Sequence, residues 1–433
     1  MQTHFDPAKL AADPDLKIAE GILRTCVHCG FCLPACPTYD LLGDERDSPR
    51  GRIYLIKDML ESGRPADDAV THHLDRCLSC LSCTTACPSG VDYMHLIDGA
   101  RVRVEQTRRR PLRDRLVRAA LGWLLPRPTL FRLALLMAQP FAPIARLIPG
   151  PLGFMAKLLA APAPPTALDH PQVIPAKGRR VKRVALLTGC VQRVISPEIN
   201  EATTRLLTRH GCEVVIVKNL GCCGALPHHL GQEEAALVHA RRNVRALMAE
   251  QRTHGLDAVI ANASGCGTTL KDYGFMLRHD SELAESAATI AGLARDVSEV
   301  LADLSLRPER DVGGLRLAYH AACSLQHGQK ITDAPKRLLQ SVGFRVEDVP
   351  DGHLCCGSAG TYNLLQPKLS AQLRDRKVAN IERTGAAAIA TGNIGCIVQI
   401  GAGTALPILH TVELLDWATG GLRPAALGHD ASH

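Results

Sequence analysis

The chain has 433 residues, a formal net charge of +7, 46% hydrophobic residues and 21% charged residues. A chain of that length is too long to fold around one ordinary hydrophobic core, so two or three domains are expected. The composition excludes a disordered chain. Aromatic residues make up only 3%, which argues against a nucleic-acid partner because single-strand binders need aromatic stacking platforms.

The distribution of the 17 cysteines divides the chain. Residues 1–23 hold four acidic residues and no apolar segment, so no secretory signal is expected and a cytoplasmic location is predicted. In a reducing compartment, cysteines serve as metal ligands or redox groups more often than as disulfides. Eight cysteines lie between residues 26 and 87, none between 88 and 189, and nine between 190 and 396. Two cysteine-rich regions are therefore expected on either side of a cysteine-free segment.

Residues 1–100 form the first predicted domain and contain the pattern C-x2-C-x2-C-x3-C-P twice. This pattern is typical of bacterial two-cluster ferredoxins, in which the fourth cysteine of each run binds the cluster of the other run. The alternative is zinc, but four cysteines within eleven residues are crowded for a tetrahedral ion. We assign two [4Fe-4S] clusters, the first to Cys26, Cys29, Cys32 and Cys87, and the second to Cys77, Cys80, Cys83 and Cys36.

A helix is predicted between these two runs. Ser48 suits its N-cap and Pro49 its first position, and the apolar residues that follow have helical spacing. Such a helix would space and cover the two clusters. Arg50 and Arg52 near its start would either offset the negative charge of the clusters or lie in solvent, and the sequence leaves both interpretations open.

Residues 101–178 form a basic and apolar linker without cysteine. Eight arginines lie within residues 101–118 against two acidic residues, and residues 119–161 are apolar and interrupted by prolines. The longest uncharged run, residues 133–145, is too short to cross a bilayer. This pattern suits a peripheral contact with the inner face of the cytoplasmic membrane or a docking surface for a partner subunit. An ordinary helical linker is the third interpretation.

The C-terminal half is an internal repeat, with one cysteine-rich domain predicted at residues 179–305 and another at 306–425. In each copy a cysteine precedes a Cys-Cys-Gly triplet and then a Gly-Cys pair, and these landmarks recur at offsets of 133, 133 and 130 residues. We predict metal ligation by Cys190, Cys222, Cys223 and Cys266 in the first copy, and by Cys323, Cys355, Cys356 and Cys396 in the second. Cys212 has no counterpart and is interpreted as a core thiol.

Strands alternate with helices in both copies, which predicts α/β domains with parallel sheets. Strands are expected near residues 181–188, 213–218 and 257–262, and near 315–321, 344–349 and 386–391. Every cysteine motif then follows the C-terminal end of a strand, where open parallel sheets place their ligands. One or two further iron–sulfur clusters are therefore expected, with buried thiols or vicinal disulfides as the alternative. No histidine is assigned as a ligand, including those at 28, 228, 229, 320, 327 and 353.

Longer blocks of sequence carry a resemblance to a known family. These blocks are residues 26–32, 39–44, 48–57, 87–91, 263–267 and 353–362. With them, the chain resembles over nearly its full length the iron–sulfur subunits of glycolate oxidase, which join a two-cluster ferredoxin module to two CCG cysteine-rich domains like those of heterodisulfide reductase. The resemblance implies a multidomain α+β and α/β fold and flavoprotein partners that carry FAD. It also implies oxidation of glycolate to glyoxylate in those partners and delivery of electrons toward a membrane acceptor.

Three alternatives stay open beside this electron-transfer role. The chain is also similar to the iron–sulfur subunits of anaerobic glycerol-3-phosphate dehydrogenase and of lactate utilisation, so another 2-hydroxy acid could be the substrate. A thiol–disulfide reductase is the second, although Thr269 and Gln399 stand where the fullest heterodisulfide-reductase motif has a fifth cysteine. A zinc-bearing scaffold is the third. No Gly-x-Gly-x-x-Gly follows a strand, so we expect no catalytic residue in this chain and FAD only in partner subunits.

Overall fold

The structure is a computed structural model that describes residues 1–141 and 161–428. Residues 142–160, which belong to the predicted apolar segment, lie outside the described residues. The first described range is helical. Its α-helices are α1 Pro7–Ala12, α2 Pro14–Thr25, α3 Pro37–Leu42, α4 Pro49–Ser62, α5 Asp68–Asp75, α6 Ser82–Thr85, α7 Tyr93–Thr107, α8 Leu112–Leu124 and α9 Pro128–Ala138.

The predicted helix between the two cysteine runs is present as α4. The Ser48 hydroxyl accepts a hydrogen bond from the Gly51 N–H at 3.0 Å, and Pro49 occupies the first turn, as expected for an N-terminal cap. Helices α2, α4, α5 and α7 bury their apolar faces in one core, which also contains Cys26, Cys77 and Cys83. Helix α7 runs continuously across the predicted domain boundary between residues 100 and 101.

Two sheets form the C-terminal half. The first has the order β1-β3-β2-β4-β5 and the second β7-β6-β8-β9, and each strand pairing is parallel except the antiparallel pair β1–β3. The strands are β1 Gln172–Ile174, β2 Lys182–Leu187, β3 Cys212–Ile216, β4 Ala258–Ala261, β5 Ala294–Asp296, β6 Arg316–His320, β7 Arg345–Asp348, β8 Ala388–Thr391 and β9 Ile408–His410. The six predicted strands are present, and the three-residue strands β1, β5 and β9 are additions.

Helices cover both sheets. They are α10 Gln192–Ile195, α11 Glu198–Arg209, α12 Ala225–His229, α13 Glu233–His254, α14 Ser264–Lys271, α15 Tyr273–Met276, α16 Ala284–Leu293, α17 Val297–Ala302, α18 Ala334–Ser341, α19 Tyr362–Leu365, α20 Pro367–Glu382, α21 Ile394–Gly401 and α22 Thr411–Ala418, with a π-helical turn at Ser324–Gly328. In the part of the chain that the structure describes, no helix has both the length and the apolar character to cross a bilayer.

The two copies of the repeat share a single hydrophobic core. Leu186 and Ile260 of the first sheet pack in the same cluster as Leu317 and Trp417 of the second copy. Polar contacts fix the register between the copies, because the His410 Nε2 atom lies 2.7 Å from the Asn262 carbonyl oxygen. The two copies therefore pack against each other through this core, since its residues come from both.

Candidate metal centres

The first predicted ferredoxin site lies at the molecular surface. The thiols of Cys26, Cys29, Cys32 and Cys87 line one cavity. Cys29 is exposed, and its neighbours Val27 and Phe31 are each 65% exposed. The Arg50 guanidinium also borders this cavity and donates to the His28 carbonyl oxygen at 3.2 Å. An electron donor could therefore approach this site without any change in the fold.

The second predicted ferredoxin site is buried deeper. Its cavity is lined by Cys36, Cys77, Cys80 and Cys83, and Cys83 also borders the first cavity. The fourth cysteine of each run thus lies in the cavity of the other run. The structure brings together the crossed sets that the sequence predicts, while cluster ligation by these residues stays a prediction.

Arg52 places a buried cation beside the second site. Its side chain is 1% exposed, and its Nη1 atom lies 3.8 Å from the Cys36 sulfur. Burial opposes ionisation, but the neighbouring Cys77, Tyr93, Cys36 and Asp47 raise the pKa of Arg52, so it remains charged. Of the two interpretations left open by the sequence, charge compensation fits Arg52, whereas Arg50 is partly exposed and paired with Glu45 at 2.7 Å.

The first cysteine quartet of the repeat gathers from the loops after β2 and β3, which hold Cys190, Cys222 and Cys223, and from the first turn of α14, which holds Cys266. The Cys222 sulfur accepts hydrogen bonds from the Cys190 and Cys223 thiols, which lowers the pKa of Cys222 and raises those of both donors. Cys223 also interacts with Cys266. Apolar residues surround the quartet, namely Leu187, Val191, Leu220, Ala225 and Leu226.

Side chains from α13 and α15 hold the Cys-Cys-Gly loop of the first quartet. The Asn243 side-chain amide donates to the Cys222 carbonyl oxygen at 2.8 Å, and the Tyr273 hydroxyl donates to the Cys223 carbonyl oxygen at 2.9 Å. Gly224 has a φ of 91°, and a Cβ there would lie 2.9 Å from the Ala236 carbonyl oxygen. The glycine of the motif is thus required by both backbone conformation and space.

The second quartet gathers from the loops after β6 and β7, which hold Cys323, Cys355 and Cys356, and from the first turn of α21, which holds Cys396. The thiols of Cys323 and Cys355 interact, as do those of Cys356 and Cys396, and all four residues are buried. The hydrogen bond with Cys355, together with burial, raises the pKa of Cys323. Gln399, at the place of a fifth cysteine, donates to the Ser370 hydroxyl at 2.7 Å. That hydroxyl donates to the Gly357 carbonyl oxygen at 2.9 Å, so Gln399 supports the loop.

Two buried polar side chains near the second quartet were not assigned from the sequence. A ring nitrogen of His320 and the sulfurs of Cys356 and Cys396 all lie within 4.8 Å of one another. Burial lowers the pKa of His320 to about 3, so its imidazole is neutral. The Lys377 side chain is also buried, and its Nζ atom donates to the Asp351 carbonyl oxygen at 2.8 Å.

A signal for His320 was present in the repeat. At the offset of 133, His320 aligns with Leu187, which is buried, as expected of a core strand. Lys377 carried no such signal, because the helix after the Cys-Cys-Gly loop has an offset of 134: Gly224 lies against Ala236 and Gly357 against Ser370, so Lys377 is equivalent to the polar Asn243. A polar residue at an otherwise apolar, buried position of one copy marks a local requirement of that copy.

The four cysteine sets follow one another through the molecule. Cys80 and Leu78 of the ferredoxin module pack in one cluster with Cys323, Cys355 and Tyr362. The second quartet therefore lies directly against the second ferredoxin site. The two quartets meet in turn where the Ser264 and Ser324 hydroxyls are 2.7 Å apart, close in sequence to Cys266 and Cys323.

The donor set fits iron–sulfur clusters. All 17 cysteines are free thiols, and the 16 predicted ligands fall into four sets of four. Four thiolates are the usual ligand set of a cubic cluster. The remaining thiol, Cys212, is fully buried at the start of β3 within the shared hydrophobic core, as predicted for a packing residue.

Comparison with protein families agrees with this division. Residues 22–91 match the 4Fe-4S dicluster domain family. Residues 184–271 and 317–401 each match the cysteine-rich CCG domain family. The ferredoxin module and the two repeated domains are thus found by independent family patterns.

Similarity to individual proteins extends over nearly the whole chain. It is 42% identical over 405 residues to the glycolate oxidase iron-sulfur subunit of Escherichia coli (strain K12), covering 92% of this chain and 95% of the relative. It is 34% identical to the probable glycolate oxidase iron-sulfur subunit of Bacillus subtilis (strain 168), with 93% and 96% covered. Lactate utilization protein A of Geobacillus kaustophilus (strain HTA426) is 29% identical over 54% of this chain and 98% of its own length.

Similarity to a solved structure concerns the fold alone. A hypothetical protein from Helicobacter pylori aligns with a TM-score of 0.54 at 10% sequence identity. The alignment covers 89% of this chain and 70% of that one.

Proposed function

The chain belongs to the family of glycolate oxidase iron–sulfur subunits, and from that premise we propose that it conducts electrons from flavoprotein partners toward an acceptor at the membrane. Its class is that of an iron–sulfur electron-transfer subunit of a hydroxy-acid oxidase. The finer parts of the proposal are the substrate glycolate, FAD in the partners, the route through this chain and the membrane contact.

We assign the four cysteine sets as cluster ligands. When bound, iron–sulfur clusters supply reversible transfer of single electrons. The chain's own residues hold the thiolates in place, bury all four cysteines of the second quartet, and offset negative charge with the cations of Arg52 and Lys377. No proton donor or substrate pocket is needed for this role, and the chain has no dinucleotide-binding fingerprint.

One observation carries the proposed route, namely the continuous series of cysteine sets. It begins at the exposed Cys29, where Val27 and Phe31 offer an apolar contact for a donor. It continues through the cavity that shares Cys83 and then through the contact between Cys80 and Cys323. From there the contact between the Ser264 and Ser324 hydroxyls leads to the first quartet.

The test of this proposal uses the chain with and without its flavoprotein partners. The isolated chain should not reduce an artificial dye with glycolate, whereas the reconstituted complex should. Phe31→Asp should slow reduction of the chain by the reduced partners at least tenfold and leave its iron content unchanged. Val238→Asp, at an equally exposed apolar position on α13, is the matched control. Dye reduction by the isolated chain with glycolate would refute the proposal that the partners oxidise the substrate and this chain only transfers electrons.

We further propose that α8 and α9 contact an anionic membrane surface. Seven large apolar side chains on this segment are more than half exposed, namely Leu112, Leu116, Trp123, Leu133, Leu136, Met137 and Phe141. Arg109, Arg113 and Arg115 are exposed beside them. Arg110 and Arg118 instead form ion pairs with Asp75 at 2.7 and 3.0 Å, so they stabilise the fold. Exposed cations next to an apolar face favour a lipid interface.

Binding to vesicles with and without anionic lipid tests this surface. Each basic residue near such a membrane contributes about 1 kcal/mol, screened by salt. The triple change of Arg109, Arg113 and Arg115 to Gln should therefore weaken binding about 100-fold at low salt. The same change at the exposed Arg242, Arg245 and Arg252 of α13 is the control. Equal binding by both triple variants would favour a partner-docking surface.

A further inference from the structure

His320 occupies an unusual place at the end of β6. It is 1% exposed, and one of its ring nitrogens lies within 4.8 Å of both the Cys356 and the Cys396 sulfur atoms. Those two sulfurs are also within 4.8 Å of each other. Three donor atoms of the kinds that bind iron and zinc therefore surround one point.

The imidazole lacks the hydrogen bonds that a buried ring normally makes. Neither Nδ1 nor Nε2 has a partner among the described residues, and the same holds for the hydroxyl of Thr391, which faces His320 in the parallel register of β6 and β8. An unpaired buried polar group destabilises the folded state, and native structures rarely leave one unexplained. Two such nitrogens on one ring indicate that the chain alone does not complete this site.

The fold does not require a histidine at this position. Leu187 is the equivalent residue of the first copy, and it is buried beside Cys190, Cys222 and Cys223. The same strand end and the same arrangement of cysteine loops are thus built with a purely apolar side chain. His320 is therefore a feature of the second site, and its partner must be something that the second site binds.

Other donors near the second site are already engaged. The Gln399 side chain donates to Ser370 and accepts from the Asn363 side-chain amide at 3.2 Å. Both nitrogens of the neighbouring His327 have partners, Thr85 Oγ1 at 2.7 Å and the His353 carbonyl oxygen at 3.0 Å. The Asn393 side-chain amide donates to the Cys396 sulfur at 3.4 Å. Among these polar neighbours, the His320 ring is the one whose polar atoms have no partner among the described residues.

We propose that His320 is a fifth protein ligand of the second quartet's cluster, and that its imidazole nitrogen binds the iron atom next to Cys356 and Cys396. This inference rests on the proposed function, which assigns a cluster to that quartet. An imidazole nitrogen is a neutral donor and adds no negative charge to the site, whereas a thiolate at the same position would add one. The second site should therefore have a higher reduction potential with His320 than with a cysteine at that position.

Pulsed electron paramagnetic resonance of the anaerobically purified full chain tests the ligand directly. The protein is labelled with 15N-histidine and reduced stepwise, and nitrogen hyperfine coupling is recorded together with iron content. The wild type should show strong coupling to a histidine nitrogen. His320→Leu, which copies the first-copy residue, and His320→Cys, which keeps a metal donor, should both lose that coupling. His327→Asn is the matched control and should keep it.

The outcomes separate this inference from the proposed function. Iron present in the second quartet without strong histidine coupling, or coupling that survives in His320→Cys, would overturn the ligand and leave the electron-transfer role intact. Iron content that is unaffected by Cys356→Ser would show that no cluster occupies the quartet and would overturn both. A lower midpoint potential in His320→Cys, with iron content retained, would support the ligand.

Discussion

The two cysteine quartets of the repeat have the same scaffold and different surroundings. In the first, the cysteines are packed by Leu187, Leu220 and other apolar residues. In the second, His320 replaces Leu187 and the cation Lys377 replaces the neutral Asn243, and the ferredoxin residues Leu78 and Cys80 complete the packing. The fold thus positions thiols at strand ends in both copies, while a few buried core positions set the charge around each quartet.

This difference indicates a division of tasks along the electron route. Reduction adds negative charge to a cluster, so a neighbouring cation stabilises the reduced form and raises the potential. The second quartet has such a cation in Lys377 and lies against the ferredoxin module. We expect it to accept electrons first, and the apolar first quartet to receive them afterwards. The following predictions are ordered by the size of the expected effect.

The largest effect is expected from breaking either quartet. Anaerobically purified chain should contain more than eight iron, about twelve to sixteen, because ferredoxin sites alone account for about eight. Cys356→Ser and Cys223→Ser should each lower the iron content by about four and leave the ferredoxin signal intact. Cys356→Ser should also stop electrons from passing beyond the ferredoxin module, whereas Cys223→Ser should not. Iron analysis measures the loss of a cluster, and freeze-quench spectroscopy measures electron delivery. An iron content of about eight in the wild type would contradict the assignment of clusters to the two quartets.

A smaller effect is expected from removing the buried cation of the second copy. Burial lowers the pKa of Lys377, while the neighbouring Cys323, Cys356 and Cys355 oppose that shift. Lys377→Met should lower the midpoint potential of the second quartet and cost about 3 kcal/mol of unfolding free energy, because a charged hydrogen bond is lost. Val244→Met, at a buried apolar position of the corresponding helix α13, is the control and should alter neither quantity by much. Redox titration measures the midpoint potential, and chemical denaturation measures the free energy of unfolding. Equal midpoint potentials of the second quartet in Lys377→Met and in the wild type would contradict the prediction.

The first copy of the repeat is attached to the ferredoxin module by a contact whose strength depends on pH. His95 of α7 lies between Asp92 at 2.6 Å and Asp272 of the first copy at 2.8 Å. Burial opposes its charge, but the two carboxylates raise the pKa of His95 from 6.5 to about 9. The stabilisation is therefore complete below pH 6.5 and is lost as the pH rises through about 9.

His95→Gln should lower stability by about 2 kcal/mol at pH 6. The difference from the wild type should vanish by about pH 10, because the wild-type ring is then neutral. Thermal unfolding of the holo-protein across this pH range measures it. His254→Gln, an exposed position, is the control. A difference that is independent of pH would exclude the charged contact.

The smallest effect is expected at Cys212, the cysteine of the first copy that has no counterpart in the second. Cys212 is fully buried in the core that both copies share. Cys212→Ala should cost about 1 kcal/mol, because a small cavity is created. Iron content and midpoint potentials should stay unchanged. Loss of iron in this variant would show that the thiol has a role beyond packing.

Much of the architecture was predictable from local pattern. The six central strands follow from short apolar runs, and α4 follows from Ser48, Pro49 and the helical spacing behind them. The three-residue strands β1, β5 and β9 were missed because so few residues carry no periodicity. Strand β1 pairs antiparallel with β3, and nothing in its local sequence distinguishes that direction.

The site was predictable to the level of its cysteines. Spacing and repetition select the 16 predicted ligands, because chemistry that needs four thiolates leaves a regular mark on the chain. Arg52 remained undecided between solvent and cluster, since a single arginine carries no periodic signal. The structure places it 3.8 Å from Cys36, where only the packing of α4 against the second ferredoxin site could bring it.

The sequence by itself determined the modules, the repeat and the cysteine sets, because each rests on spacing along the chain. Only the tertiary structure decided the order in which the four sets follow one another and which quartet touches the ferredoxin module. It also decided that His320 faces Cys356 and Cys396, residues 36 and 76 positions further along. Contacts of this kind depend on how β6, β8 and the Cys-Cys-Gly loop converge in space, and separation along the chain does not encode that convergence.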